Sequence, residues 1–330
     1  MAVEIIAEAA QGYEGDPSLA RLLAKGAICA RANAFKMQLV YGDELATPDY
    51  EYYSLFKKLE MPESVWKDLI TETHANGLRF YVDIFGEKSL QVAQKLGVDG
   101  IKIHSTDFFN DRLVRTALAG SWRLFISLGG ITADELTAFI QKHKLQPHER
   151  ITLLYGFQGD PTPLESNHVL RLRSFTQRFP VFRFGFMDHQ DGATEEAMNL
   201  SLLSLPLSVQ TIEKHITLDR SLQLEDYISA LEPERFTRFV QQIRQMERAL
   251  GSDALELGEG EKQYRRKVTK VVVSIRPLRK GEILTAEAIA LKRSSRMDPQ
   301  HALYSLDQAL DRRLDVDTDA NQPITVEMVS

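Results

Sequence analysis

From the N-terminus to about residue 250, short apolar runs alternate with stretches in which apolar residues recur every three or four positions. The runs are "VEIIAE" (3–8), "AFKMQ" (34–38), "LRFYVD" (78–83), "GIKIH" (100–104), "RLFISL" (123–128), "ITLLY" (151–155), "VFRFGF" (181–186) and "VQTIEK" (209–214). Runs of this length and composition read as strands buried on both faces. Helical periodicity follows each run, at 18–31, 63–75, 87–96, 110–120, 132–143, 164–178, 193–204 and 233–250. Eight strand–helix units of this size predict a closed (β/α)8 TIM barrel over residues 1–250, with a doubly wound open sheet as the alternative.

Beyond residue 250 the pattern changes. Residues 251–267, "GSDALELGEGEKQYRRK", lose apolar periodicity and read as a linker. Residues 268–330 predict a small β-rich module: a strand, a turn at Gly281, a second strand and a helix start at Thr285, then another strand–turn–strand in "DRRLDVDTDANQPITVEMV".

Composition narrows the setting. The chain has 330 residues, 43% of them hydrophobic, and a formal net charge of −6, which argues against a nucleic-acid partner. The one cysteine, Cys29, excludes an internal disulfide, and the opening "MAVEIIAEAAQG" has no signal-peptide pattern. The most apolar window, "LSLLSLPLSV" (200–209), is too short to span a bilayer. A soluble cytoplasmic protein is expected.

Candidate chemistry gathers where a barrel would put it, at the C-terminal strand ends. Those ends carry Glu8, Lys36, Gln38, Asp83, Lys102, Ser105, Asp107, Ser127, Asp188-His189, Glu213 and His215. Charges that close an apolar strand at one rim are hard to explain by folding alone. Lys36 and Lys102 sit inside otherwise apolar runs, so two cations at equivalent positions favour an anion site, and Gly129-Gly130 allows backbone N–H groups to approach an anion. A Schiff-base lysine is the competing role. His189 and His215 end adjacent strands, about 4.8 Å apart, where two imidazoles can share a divalent cation with Glu8, Asp188, Glu213 or Glu14 completing the shell. The remaining histidines, His104 among them, read as surface or structural.

These residues together resemble the sialic acid synthase (N-acetylneuraminate synthase) family over nearly the whole chain. "IIAEAAQGYEGD", "AFKMQ", "GIKIHSTDFFN", "FISLGG", "GFMDHQDG" and "EKHITLDR" are similar to its motifs in order, and "KVVVSIRPLRKGEILTAEAIALKR" resembles its C-terminal antifreeze-like (SAF) module. The resemblance implies condensation of phosphoenolpyruvate with an N-acylated amino sugar, giving a 2-keto-3-deoxy acid and phosphate. It implies Lys36, Lys102, Ser105 and Ser127 as phosphoenolpyruvate contacts. Glu14 would position or deprotonate the attacking water. Asp107, Gln158, Asp160 and Asp226 would face the sugar. His189 and His215 would hold a divalent metal, Mn2+ in the first place, with Mg2+ or Co2+ as alternatives. Arg293 would act across a domain-swapped homodimer. Gln158 and Asp160 stand where the family has asparagine and tyrosine, and Met187 where it has serine, so the acceptor stays open. A catalytically silent paralogue serving as a binding or scaffold protein is the alternative, marked by a pocket filled by Tyr13, Met187 or Tyr155.

Overall fold

The structure is a computed structural model that describes residues 2–330. The chain divides into two compact units, one ending at Gly251 and one running from Ser252 to Ser330. The first is a closed barrel of eight parallel strands: β1 (Glu4–Glu8), β2 (Ala34–Leu39), β3 (Arg79–Ile84), β4 (Gly100–Ile103), β5 (Arg123–Ser127), β6 (Ile151–Tyr155), β7 (Arg183–Asp188) and β8 (Thr211–His215). Closure is explicit, because Glu8 of β1 pairs in register with Lys36 of β2 and with His215 of β8. The open-sheet alternative is thereby excluded.

Helices cover the outside, among them Pro17–Cys29, Glu63–Ala75, Ala133–His143 and Pro233–Leu250. Their starts follow local chemistry. Asp16 accepts from the amide of Ser18 ahead of Pro17, and Thr132 and Glu135 form a reciprocal capping box. The segment expected as a helix over 193–204 differs: a short helix, Glu196–Asn199, tightens into a 3-10 stretch, Leu200–Leu207. Pro206 lacks the N–H that an α-helix would use there.

Alternation along each strand sorts the barrel interior into three levels. In the middle lie Ile6, Ala34, Tyr81, Phe125, Leu154 and Met187, an apolar cluster separate from the outer core, with the Tyr81 and Phe125 rings 5.1 Å apart. Two residues further along the strands come Glu8, Lys36, Asp83, Lys102 and Glu213, all buried. Before it, as the first residues of β1, β3, β5 and β7, come Glu4, Arg79, Arg123 and Arg183. The barrel is therefore a dry plug between two ionic rings.

The second unit pairs β9 (Val271–Ser274) antiparallel with β10 (Ile289–Lys292) over a core that includes Val272, Leu278, Leu284 and Ile324. Two expectations change here. Thr285 opens a turn, closed by the Ala288 amide on the Thr285 carbonyl, and not a helix. The stretch read as a linker over 251–267 contains a helix, Glu259–Val268, with no buried residue. It is held by local charge: Glu259 and Glu261 at its start, Arg265, Arg266 and Lys267 at its end, and a Lys262–Glu259 pair at 2.7 Å. An apolar stripe was the signal sought, and this helix has none. No helix among the described residues is long and apolar enough to cross a membrane.

The plug predicts a measurable cost. Leu154→Ala should destabilise the first unit by about 2–5 kcal/mol in urea unfolding, because the closed barrel cannot collapse onto the void.

Candidate active site

The upper ring holds two cations among three carboxylates. Lys36 Nζ contacts Glu8, lies 2.5 Å from Asp83 and 3.1 Å from Glu213, and is fully buried. Lys102 Nζ lies 2.6 Å from Glu213 and 3.3 Å from Asp83. Burial alone would raise the carboxyls of Asp83 and Glu213, yet the two ammonium groups hold both below their usual range. Burial likewise opposes charge on Lys36, but Asp83, Glu213 and Glu8 more than offset it and hold its pKa well above normal. Two cations balance two carboxylates; the third has no counter-charge. Glu8 is that third group: burial first, then the neighbouring Asp83 and Glu213, push it up to about 8 against the pull of Lys36. The ring is thus neutral overall, with one proton on Glu8.

Above the ring opens a pocket of about 170 Å3, lined by Glu8, Gln38, Asp83, Lys102, His104, Gln158, His189, Glu213, His215 and Asp226. Lys36 lies beneath this lining, while Lys102 reaches it. The rings of His189 and His215 meet edge to face with centroids 4.3 Å apart. His189 Nδ1 stands 3.3 Å from the Gly159 carbonyl, to which it can only donate, so Nε2 carries the free lone pair. That Nε2 and Nδ1 of His215 are buried without partners. Burial and then Lys102 bring His189 down to about 4, and burial with His189 holds His215 well below its ordinary value. Neutral, unpartnered, adjacent imidazoles are the form in which histidine binds a metal. The donor set fits a divalent cation, although no group of three or more His, Cys, Asp or Glu among the described residues has metal-holding spacing. Asp188 adds nothing to that set. It faces the outer wall, where it accepts from Lys214 at 3.0 Å and Ser201 at 3.0 Å.

Beside the pocket Ser105 Oγ and Ser127 Oγ are 3.3 Å apart, and the Gly129 amide points at Ser127 Oγ at 3.4 Å. A Cβ at Gly129 would stand 3.2 Å from Gln158 Oε1 and 3.3 Å from the Gly156 carbonyl, so a side chain there would crowd this cradle. Asp226 takes the Gln11 amide at 3.2 Å, and burial together with Asp160 and Glu225 lifts it to about 6.

Of the other expected residues, those of the barrel unit stand outside the pocket lining. Glu14 pairs with Lys58 at 2.9 Å, and Asp160 is exposed at the rim. Asp107 is occupied by Asn110 Nδ2 at 2.8 Å. Arg293, in the second unit, donates from Nε to the Val268 carbonyl. His104, read as surface or structural, lines the pocket with its pKa lowered to about 4, first by burial and then by Lys102. Its place two residues beyond Lys102 on the same alternating face was the signal for it. The residues whose bulk would have closed the site do not enter it. Tyr13 is buried with its hydroxyl on the Gln38 and Leu59 carbonyls, Tyr155 bonds the His168 carbonyl, and Met187 belongs to the plug.

The fold and this ionisable mouth define a (β/α)8 barrel with its site at the C-terminal ends of the strands. The NeuB family model matches residues 23–254, and the chain belongs to the NeuB family. It is 25% identical over 306 residues to the N,N'-diacetyllegionaminic acid synthase of Campylobacter jejuni, covering 88% of this chain and 90% of that protein. It is 26% identical over 303 residues to the human N-acetylneuraminate-9-phosphate synthase, covering 87% and 82% respectively. The crystal structure of the N-acetylneuraminic acid synthetase of Leptospira borgpetersenii, in complex with citrate, superposes with a TM-score of 0.73 at 26% identity over 81% of this chain and 93% of that one. These relatives are synthases of sialic and related acids.

The ring's charge balance sets two expectations. Glu8 is protonated in the fold, so its contribution is full below 4.5 and is lost as pH rises through about 8. Glu8→Gln should therefore alter stability by under about 1 kcal/mol at pH 7 and flatten that alkaline loss, whereas Asp83→Asn should cost about 3–5 kcal/mol by leaving a buried ammonium unbalanced. Urea midpoints across pH measure both. The buried neutral histidines act in the opposite sense: the unfolded chain takes up protons below 6.5, so stability should fall from there toward about 4.

Proposed function

We propose that the chain condenses phosphoenolpyruvate with the open-chain aldehyde of an N-acylated amino sugar, forming a 2-keto-3-deoxy sugar acid and phosphate. The observation that carries this is the meeting, in one pocket, of two unpartnered neutral imidazoles with a buried lysine–carboxylate ring. The names of the relatives support the same class of reaction.

In the overall change, C3 of phosphoenolpyruvate bonds to the aldehyde carbon, water adds at C2, and the C2–O bond to phosphate breaks. The protons of the water end on the new hydroxyl and on phosphate. Lys102 and the Ser105, Ser127 and Gly129 donors would hold the anionic groups of phosphoenolpyruvate. Lys36 holds the ring together beneath them. Asp226, at about 6, is suited to take the water proton near neutral pH. Glu14 and Asp160, at the rim, would face the acceptor. A divalent metal, Mn2+ with Mg2+ or Co2+ as alternatives, would be held by His189 and His215 and would supply Lewis acidity at the aldehyde oxygen. A pocket of about 170 Å3 is below the roughly 300–1,000 Å3 typical of drug-sized ligands, so it accommodates the small three-carbon substrate at its deep end. The candidate acceptors are N-acetylmannosamine, its 6-phosphate and a 6-deoxy diamino sugar. A Schiff base at Lys36 is disfavoured, because an imine requires a neutral amine and the ring holds Lys36 charged.

Phosphate release from phosphoenolpyruvate, assayed with Mn2+ against these acceptors, should appear with at least one of them. No release with any of them, and no phosphoenolpyruvate binding by calorimetry, would sink the proposal. His189→Ala/His215→Ala should abolish Mn2+ binding. Asp226→Asn should lower kcat by about 10²–10⁴-fold and remove an acidic limb of kcat/KM near pH 6.

A further inference from the structure

The opposite end of the barrel carries a second charged chamber that the proposed reaction does not use. The first residues of β1, β3, β5 and β7 are Glu4, Arg79, Arg123 and Arg183. Inward residues of alternate strands share one layer of a (β/α)8 barrel, so these four ring its floor. They line a cavity of about 710 Å3 together with Ser208 and Gln210.

Glu4 is fully engaged. Its Oε1 accepts from Tyr81 Oη at 2.6 Å and from Arg79 at 2.9 Å, and its Oε2 from Arg123 at 2.9 Å. Glu247, also at the wall, is held by Arg244 and by the Val3 amide. That leaves three guanidinium groups facing one carboxylate, an excess of two positive charges. Arg183 makes no ion pair among the described residues, and its buried Nε has no hydrogen-bond partner; the Nε of Arg123 is also unpartnered.

A purely structural ring, tying the strand starts together, accounts for Arg79 and Arg123 on Glu4. It does not account for Arg183, since an orphaned buried donor costs about 1–3 kcal/mol, more when charged. Guanidinium forks match oxyanions in geometry as well as charge. The apolar plug separates this chamber from the catalytic mouth, so the charge excess is not relieved by the carboxylates above.

We propose that the barrel floor is a binding site for a divalent oxyanion, inorganic phosphate or the phosphate group of a small metabolite, held by Arg183 with Arg123 and Arg79. The site is independent of the reaction proposed for the mouth.

The test is a titration of the full chain with inorganic phosphate, followed by calorimetry and by the Nε–Hε resonances of the arginines. The Arg123 and Arg183 resonances should shift together along one saturable curve. Arg183→Gln, which breaks no hydrogen bond or ion pair among the described residues, should weaken binding by roughly ten-fold or more. Arg79→Gln serves as the second variant should Arg183→Gln not fold, with a loss of the same sign. Repeating the wild-type titration with glucose 6-phosphate separates the two sources: tighter binding than phosphate points to a phosphorylated metabolite, and equal or weaker binding to the free ion. Absence of saturable shifts at Arg123 and Arg183 overturns the proposal. So does phosphate affinity that is unchanged in both variants, which would place the ion elsewhere.

Discussion

The constraint on which the rest of the molecule depends is the need to balance two ammonium groups inside a dry barrel. Lys36 and Lys102 are buried on β2 and β4, either side of β3, and taking each out of water costs several kcal/mol unless it is paired. Asp83 stands beside both, Glu213 closes the ring from the far strand, and burial, with Asp83 and Glu213 nearby, pushes Glu8 up to about 8 against the pull of Lys36. Burial first, and then the charge of Lys102, lower His104 and His189 to about 4 and favour their neutral form. An ionic requirement of the core thereby prepares a site: metal-ready imidazoles and a fixed cation on one small pocket.

Much of this was legible in the strand pattern. Eight apolar runs separated by helical periods leave few topologies other than a closed barrel, and the last residues of those runs name the mouth. His189 and His215 follow from adjacency of the last two strands. The meaning of Lys36 was harder to read. A lysine in an apolar run signals an anion site when viewed alone, but its partners Glu8, Asp83 and Glu213 come from three strands distant in sequence. Asp188 misleads for a related reason. It is next to His189 in the chain, yet alternation turns it to the outer wall, onto Lys214, while His189 lies beyond the strand and folds inward. Rim residues such as Glu14 and Asp107 depend on loop geometry that no period encodes. The helix Glu259–Val268 was hidden because salt pairs and end charges hold it, not an apolar face.

The three-level interior links the two ends of the barrel. Ile6, Tyr81, Phe125 and Leu154 keep water and charge from passing between mouth and floor, while the Tyr81 hydroxyl reaches down to Glu4. Each ionic level is therefore solved on its own. The upper one reaches neutrality by protonating Glu8, and the lower keeps an excess of arginine. Left-handed backbone, uncommon for residues other than glycine, occurs at Glu14 and Asp226 in the loops around the mouth and at Ser208 by the floor.

The most direct measurement is a crystal structure of the protein soaked with phosphoenolpyruvate and Mn2+, with anomalous diffraction locating the metal. The account predicts an anomalous peak bound by the His189 and His215 imidazoles. It also predicts the phosphoenolpyruvate oxygens on Lys102, Ser105, Ser127 and the Gly129 amide. A metal bound elsewhere, or phosphoenolpyruvate absent from the mouth at full soak, would contradict it.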